Sequence, residues 1–566
     1  MNPSGSITYK ARKEAFVSNL SGSSLTDINL VSLVSSSAVL LWTALQKRQG
    51  FFTPYTPISL VADFLLNVCA LLFAITLYSS TPIVLSIFLV TPALLVLCLT
   101  SSPSNTSSTT KSSLSKNKKV TTTTTTNNNN NKNDQVQSSP DNVNNSLPVR
   151  PFLTHYRGSM LVVTCLSILA VDFPIFPRRF AKVETWGTSL MDLGVGLFVF
   201  SAGVVSARSV VKRKSGTLTT TSSSSFTSRF LVSLRHAFPL FVLGVVRLLS
   251  VKNLDYAEHV TEYGVHWNFF FTLCLLPPFV EISDTLFMGR HHAVVVPLYG
   301  YDVLAVAISF TYEIILNSHP TLLRYILISE RGPSWLSKNR EGVFSFVGYL
   351  AIFLAGRGTG GQVVTFNLPS SSSSSSSTAS TKTKSRPIPP PIETRRERLL
   401  LLRTLFIRTM IYSSLFIFTT DHHWYGGNLT VSRRLANLPY VLWVAAFNNA
   451  QLFLFGVVEH LGPDFSYSTN VDTDTDTNNN NDNNSDGDSK QKVITTTGST
   501  SRILGAFNNN GLAIFLIANL LTGLVNLTLN TLDMAPLSAM AILVSYAAVV
   551  TAVALGLDRS GIKIKL

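Results

Sequence analysis

The chain has 566 residues, of which 46% are hydrophobic and only 13% charged, with a mean hydropathy of +0.29; a soluble domain carries about 25% charged residues. That balance excludes an ordinary soluble globular protein. The net charge of +15 does not mark a nucleic-acid binder, because Lys and Arg sit in polar loops between apolar runs rather than in a folded basic domain.

Residues 1–28 are polar and carry Lys10, Arg12 and Lys13, so no cleavable signal peptide is expected and the first apolar run serves as the insertion signal. Runs long enough to cross about 30 Å of hydrocarbon then follow in order. Residues 29–100 hold spans at 29–46, 58–78 and 80–100, and a polar tract covers 101–148. Residues 149–365 hold spans at 158–176, 187–206, 230–250, 266–283, 294–317 and 341–357, with a second tract at 215–228. Asp302, Glu313 and Arg357 interrupt the 294–317 and 341–357 runs, and 320–329 reads as a re-entrant piece. After a tract at 366–390, residues 391–465 hold spans at 404–420 and 437–460; a tract at 466–500 precedes residues 501–566, with spans at 510–531 and 535–557.

The expected fold is therefore an all-α, multi-pass membrane bundle of thirteen helices. The Thr, Asn, Ser and Asp/Thr tracts bury too little apolar surface to offset their ordering entropy and read as disordered linkers. Most Lys and Arg outside the spans fall on the side holding those tracts, which places the N-terminus in the lumen and the C-terminus in the cytosol. The sequons at Asn19 and Asn428 would face the lumen.

In hydrocarbon each ionisable side chain marks a functional candidate, and the densest group lies at 157–203. Asp172 ends an apolar run, and Pro174 and Pro177 break the helix so that Arg178, Arg179, Lys182 and Glu184 emerge at the interface. Asp172 and Lys182 are too far apart to pair along one helix, but a chain turning back after the prolines would set them side by side. A structural ion pair and snorkelling arginines are the alternatives.

A second group, 255–273, ends in His266, Trp267 and Asn268 at the start of a span. A neutral imidazole there can take a proton from an alcohol, or the His–Trp pair is an interfacial belt. His259 and Glu262 have helical spacing without a third ligand, so no metal site is expected. A third group, 421–427 with 432–443, holds adjacent His422 and His423, which point in different directions. Asn519 and Asn526 share one helical face, where they bond between helices or touch a ligand. Cys69, Cys98, Cys165 and Cys274 all lie in apolar runs, so neither disulfides nor thiolate metal sites are expected. No Walker loop, dinucleotide glycine pattern, HExxH or GxSxG occurs.

At these stretches the sequence resembles the inositol acyltransferase family of glycosylphosphatidylinositol (GPI) anchor synthesis. The resemblance rests on RKEAFVSNLSGSSLTDIN at 12–29, the 157–203 stretch, EHVTEYGVHWNFFFTL at 258–273, SRRLANLPYVLW at 432–443 and NGLAIFLIANLLTGLVNLTLNT at 510–531. It implies a multi-pass endoplasmic-reticulum enzyme that moves a fatty acyl group, typically palmitoyl, from acyl-CoA to the inositol of glucosaminyl-phosphatidylinositol. Acyl-CoA is then a co-substrate, and no cofactor, nucleic acid or obligate protein partner is implied. The family's acid and amine fall on Asp172 and Lys182, with His266 as a reserve base. Arg178 and Arg179 become candidates for a phosphate, and Glu184, Asp192, Trp267, Asn268, Asn519 and Asn526 for other substrate contacts. Two positions depart from the family pattern: Leu197, where a small residue is expected and whose bulk could narrow a lipid-facing groove, and Asp27, where Glu is common. The rival reading is a lipid or solute transporter or flippase, which forms no covalent product.

Overall fold

The computed structural model describes residues 9–16, 18–99, 150–214, 226–252, 260–288, 295–365, 395–421, 429–461 and 500–562. In chain order the helices are α1 (Tyr9–Phe16), α2 (Leu25–Gln49), α3 (Pro57–Phe64), α4 (Ala70–Ile75), α5 (Pro82–Leu99), α6 (Pro151–Ala170), α7 (Leu190–Lys214), α8 (Phe226–Lys252), α9 (Val260–Tyr263) and α10 (Phe269–Met288). They continue as α11 (Val295–Ser318), α12 (Pro320–Leu327), α13 (Trp335–Lys338), α14 (Arg340–Thr365), α15 (Arg395–Asp421), α16 (Leu438–Leu461), α17 (Arg502–Asn509), α18 (Gly511–Thr528) and α19 (Pro536–Arg559). Among the described residues, 12 spans are long and apolar enough to cross a membrane, the α3–α4 pair counting as one. With α10, every apolar run read from the sequence has its helix: this is an all-α, multi-pass membrane protein.

Several boundaries differ from the sequence reading. Pro151 sits in the first turn of α6, where its missing N–H costs nothing, so the helix starts before residue 158. It stops at Ala170 rather than 176, leaving Asp172 in the following turn. The expected 510–531 span is the second half of a broken rod: Asn510 (φ −122°, ψ 34°) separates α17, capped by Ser501, from α18. The 320–329 piece is a short helix, α12, beside an apolar cluster of Tyr312, Leu316, Ile326 and Leu435. The tracts at 101–148 and 366–390, nearly all of 215–228 and 466–500, and Asn428 lie outside the described residues.

The closest helix pair is α7 against α14. A Cβ on Gly203 would collide with the Phe353 carbonyl oxygen, and one on Gly356 or Gly360 with the carbonyls of Phe200 or Val204. Small residues thus let two backbones touch where apolar burial alone gives no drive within lipid. Charges inside the spans are matched across helices: Arg357 pairs with Asp284 at 2.5 Å, Arg229 with Glu281 at 2.7 Å and Arg408 with Asp302. One end of the bundle gathers α1, the turns at 76–81, 171–189, 319–339 and 429–437, and the 529–535 link. Ser23–Thr188, Gly187–Val431 and Val265–Lys338 backbone bonds tie these pieces together.

Candidate functional site

The site lies at that end, and the segment after α6 builds it. In DFPIFPRRF the side chains of Phe173, Phe176 and Phe180 are fully buried, and they pin the chain to the core while Pro174 and Pro177 keep it from continuing as helix. Arg178 then folds it back: its Nη2 donates to the carbonyls of Val171 (2.8 Å), Phe173 (3.2 Å) and Phe176 (2.9 Å). Its guanidinium lies 3.8 Å from the Phe16 ring centroid. Burial lowers its pKa to about 10, against the pull of Asp172. Arg179 donates to the Ser79 carbonyl at 2.9 Å and stands over Phe180. Both arginines, read from the sequence as phosphate candidates, staple the rim of the bundle.

Asp172 projects from this rim toward α18 and α1. Asn526 Nδ2 donates to it at 2.8 Å, and Lys13 Nζ, 3.8 Å from the carboxylate, donates to Asn526 Oδ1 at 2.7 Å. Burial raises the Asp172 pKa, while the Asn526 hydrogen bond, Lys13 and Arg178 oppose it. No direct hydrogen bond or ion pair joins Asp172 to Lys182 among the described residues, which corrects the side-by-side pairing expected from the fold-back. The chain does turn back, but after the short turn at Arg178–Phe180 Lys182 emerges toward α9 and pairs with Glu262 at 2.7 Å.

Glu262 also pairs with Arg433 at 2.8 Å, and Arg433 Nε donates to Asp192 Oδ1 at 2.7 Å. Asp192 Oδ2 accepts from Ser189 Oγ (2.7 Å) and Val183 N–H (3.2 Å), and Tyr440 donates to the Asp192 carbonyl at 2.8 Å. Side-chain exposure along this row falls from 43% at Lys182 through 16% at Glu262 and 6% at Arg433 to 1% at Asp192. Burial opposes the charge on Arg433, but Glu262 and Asp192 outweigh it and hold its pKa well above the ordinary value. Asp192, a substrate candidate in the sequence, is thus the buried anchor of an ion chain whose outer pole is Lys182.

The remaining candidates take other places. His266 is half-buried and its backbone N–H donates to Asn339 Oδ1 at 2.8 Å; no contact joins its imidazole to Asp172 or Lys182 among the described residues. Trp267 donates to Thr272 Oγ1 at 3.0 Å and packs on Trp335. Asn268 caps α10, accepting from the N–H groups of Phe270 (3.0 Å) and Phe271 (3.4 Å) while donating to the Gly244 carbonyl. That capping is structural work. Glu184 is exposed. Asn519 is exposed and bonds the Phe515 carbonyl of its own helix, so of the two amides only Asn526 reaches Asp172. His259, His422 and His423 lie outside the described residues.

Two helix faces run away from the Asp172 turn. α6 touches both α7 and α18, and each presents a row of half-exposed side chains at helical spacing: Arg157, Met160, Thr164 and Ile168 on α6, and Val195, Phe198, Ser201 and Val205 on α7. α7 and α18 meet where Phe198 faces Phe515 at 6.3 Å. Leu197, expected from the sequence to be able to narrow a lipid-facing groove, is buried in the core. The acid of the turn therefore stands at the end of a mainly apolar row of half-exposed side chains.

A family model described as GWT1 matches residues 9–557. The chain belongs to the GWT1 family. Its similarity extends over nearly full length to proteins named GPI-anchored wall transfer protein 1. That of Aspergillus oryzae is 50% identical over 564 residues, covering 99% of each chain. The Aspergillus fumigatus protein is 48% identical over 557 residues, 98% of this chain and 99% of its own. The Candida albicans protein is 36% identical over 582 residues, covering 99% and 100%.

In this GWT1-family chain the sequence reading did not single out Arg433 or Lys13 as site residues. Arg433 carried a signal, an arginine at the threshold of an apolar run facing an acid at the threshold of another, Asp192. Lys13 carried none, because nothing local says that residues 9–16 fold onto the end of α18.

Proposed function

We propose that this protein acts in GPI-anchor biosynthesis in the endoplasmic reticulum, as an acyl-CoA-dependent acyltransferase that esterifies the inositol of glucosaminyl-phosphatidylinositol. One observation carries the reading: Asp172, 14% exposed, is a carboxylate at the rim of the bundle beside mainly apolar half-exposed side chains of α6 and α7, with Asn526 donating to it at 2.8 Å and Lys13 Nζ 3.8 Å away. A carboxylate so placed is free to accept a proton. The inositol oxygen attacks the thioester carbon, its proton passes to Asp172, the carbon–sulfur bond breaks, and the proton leaves with the CoA thiolate. Lys182, the solvent-facing pole of the ion row, supplies positive charge at the rim for the developing oxyanion. The relatives named for GPI-anchored wall transfer support the anchor pathway.

Incubation of the purified protein with labelled palmitoyl-CoA and glucosaminyl-phosphatidylinositol tests the reaction. A new acylated lipid is expected; movement of lipid across vesicles without a covalent product would favour the transporter instead. Lys182→Ala is expected to abolish that product yet unfold within about 1 kcal/mol of wild type, since half-exposed ion pairs contribute ~0–1 kcal/mol. Because the base must be ionised, turnover is lost as pH falls through the raised Asp172 pKa. The acid limb of the pH–rate profile should therefore lie above the ordinary aspartate value of about 3.9, and a limb at or below that value would remove Asp172 as the base.

A further inference from the structure

The short helix α1 precedes the first span and is fastened across the Asp172 turn. Arg12 pairs with Asp533 at 2.6 Å, the Leu532 N–H donates to Tyr9 Oη at 3.4 Å, and the Phe16 ring receives the Arg178 guanidinium at 3.8 Å. Between these points Lys13 reaches the end of α18. An ammonium only donates hydrogen bonds, whereas an amide donates at one end and accepts at the other. Because the half-buried Lys13 donates to Asn526 Oδ1 at 2.7 Å, the oxygen end of that amide is taken, and its Nδ2 end is the one turned to Asp172 Oδ2, at 2.8 Å. A hydrogen bond donated to the ionised form of an acid favours that form, and one accepted from the neutral form favours the neutral form. The direction of the Asn526 amide therefore tunes the proton affinity of Asp172.

Resting on the acyl-transfer reading above, we propose that Lys13 is a positioning residue: acting through Asn526, it keeps Asp172 ionised and so able to take a proton, and α1 is the strap that brings it there. The charged groups acting on Asp172 are Lys13 from α1 and Arg178 from its own turn. Arg178 is committed to the carbonyls of Val171, Phe173 and Phe176. On the 529–535 link, Asp533 is neutralised by Arg12, and Lys182 turns to Glu262. Of the two cations acting on Asp172, Lys13 is the one that also orders the amide.

With purified full-length protein, Lys13→Met is expected to move the acid limb of the pH–rate profile upward by about one pH unit or more, the scale on which a nearby charge and a turned hydrogen bond shift a carboxyl. The rate above the limb and thermal unfolding should change little, whereas a merely structural lysine would lower the rate at every pH and leave the limb in place. Lys13→Arg should keep the limb near that of wild type. In an Asn526→Leu background the same Lys13→Met change should shift it clearly less, because the amide is gone. The neutral pair Arg12→Gln with Asp533→Asn, which unfastens α1 without altering net charge, should shift the limb the same way more weakly and serves if Lys13→Met is not recovered folded. The protonation midpoint of Asp172, read as the infrared carboxyl band that Asp172→Asn removes, should rise in step. That reading needs no turnover: a raised midpoint in Lys13→Met would uphold the positioning role even if wild type acylates no lipid, in which case only the assigned reaction fails. An unmoved limb and midpoint in Lys13→Met, or an equal shift with and without Asn526, would overturn the proposal.

Discussion

Asp172→Asn is expected to lower turnover of glucosaminyl-phosphatidylinositol by about 10²–10⁴-fold, the usual contribution of a positioned general base, without loss of folded protein. The substitution keeps the shape and an oxygen able to accept from Asn526 Nδ2, now 2.8 Å from the carboxylate, and removes the capacity to take a proton. Stability should hold, because a buried carboxyl whose pKa is raised is already disfavoured as an ion. Product formation and thermal unfolding, measured on the same preparation, decide between roles. Activity and stability falling together would make Asp172 a structural acid, and wild-type turnover would remove it from the chemistry.

Arg433→Met should have the largest effect on stability, about 3–5 kcal/mol. Arg433 is 6% exposed and lies between Glu262 and Asp192, which is 1% exposed; its loss leaves a carboxylate buried without a counter-charge. The contrast with Lys182→Ala is informative, since the two cations share the Glu262 carboxylate and differ chiefly in burial. Adding Asp192→Asn to Arg433→Met should recover part of the loss, because the orphaned charge is then gone. A loss under about 1 kcal/mol for Arg433→Met would mean that water reaches Asp192 once the arginine is removed.

Where the charges at the rim of the bundle fall was legible along the chain. The acid and amine of DFPIFPRRFAK were marked by a charge at the end of an apolar run and two helix-breaking prolines. The amide face of α18 was marked by seven-residue spacing, although only Asn526 uses it. Asn268 caps α10, and in sequence an amide at a helix start looks the same whether it caps the helix or meets a ligand.

The sequence by itself determined the all-α class and the order of the apolar helices, since length and hydropathy are properties of contiguous residues and the bilayer selects on them directly. The tertiary structure alone decided the partners. Asp172 bonds Asn526 and Lys13 from opposite ends of the chain, Lys182 turns to Glu262, and Arg433 bridges Glu262 and Asp192. A charge in a low-dielectric bundle takes the neighbour that packing brings within reach, and that neighbour is hundreds of residues away as often as it is nearby.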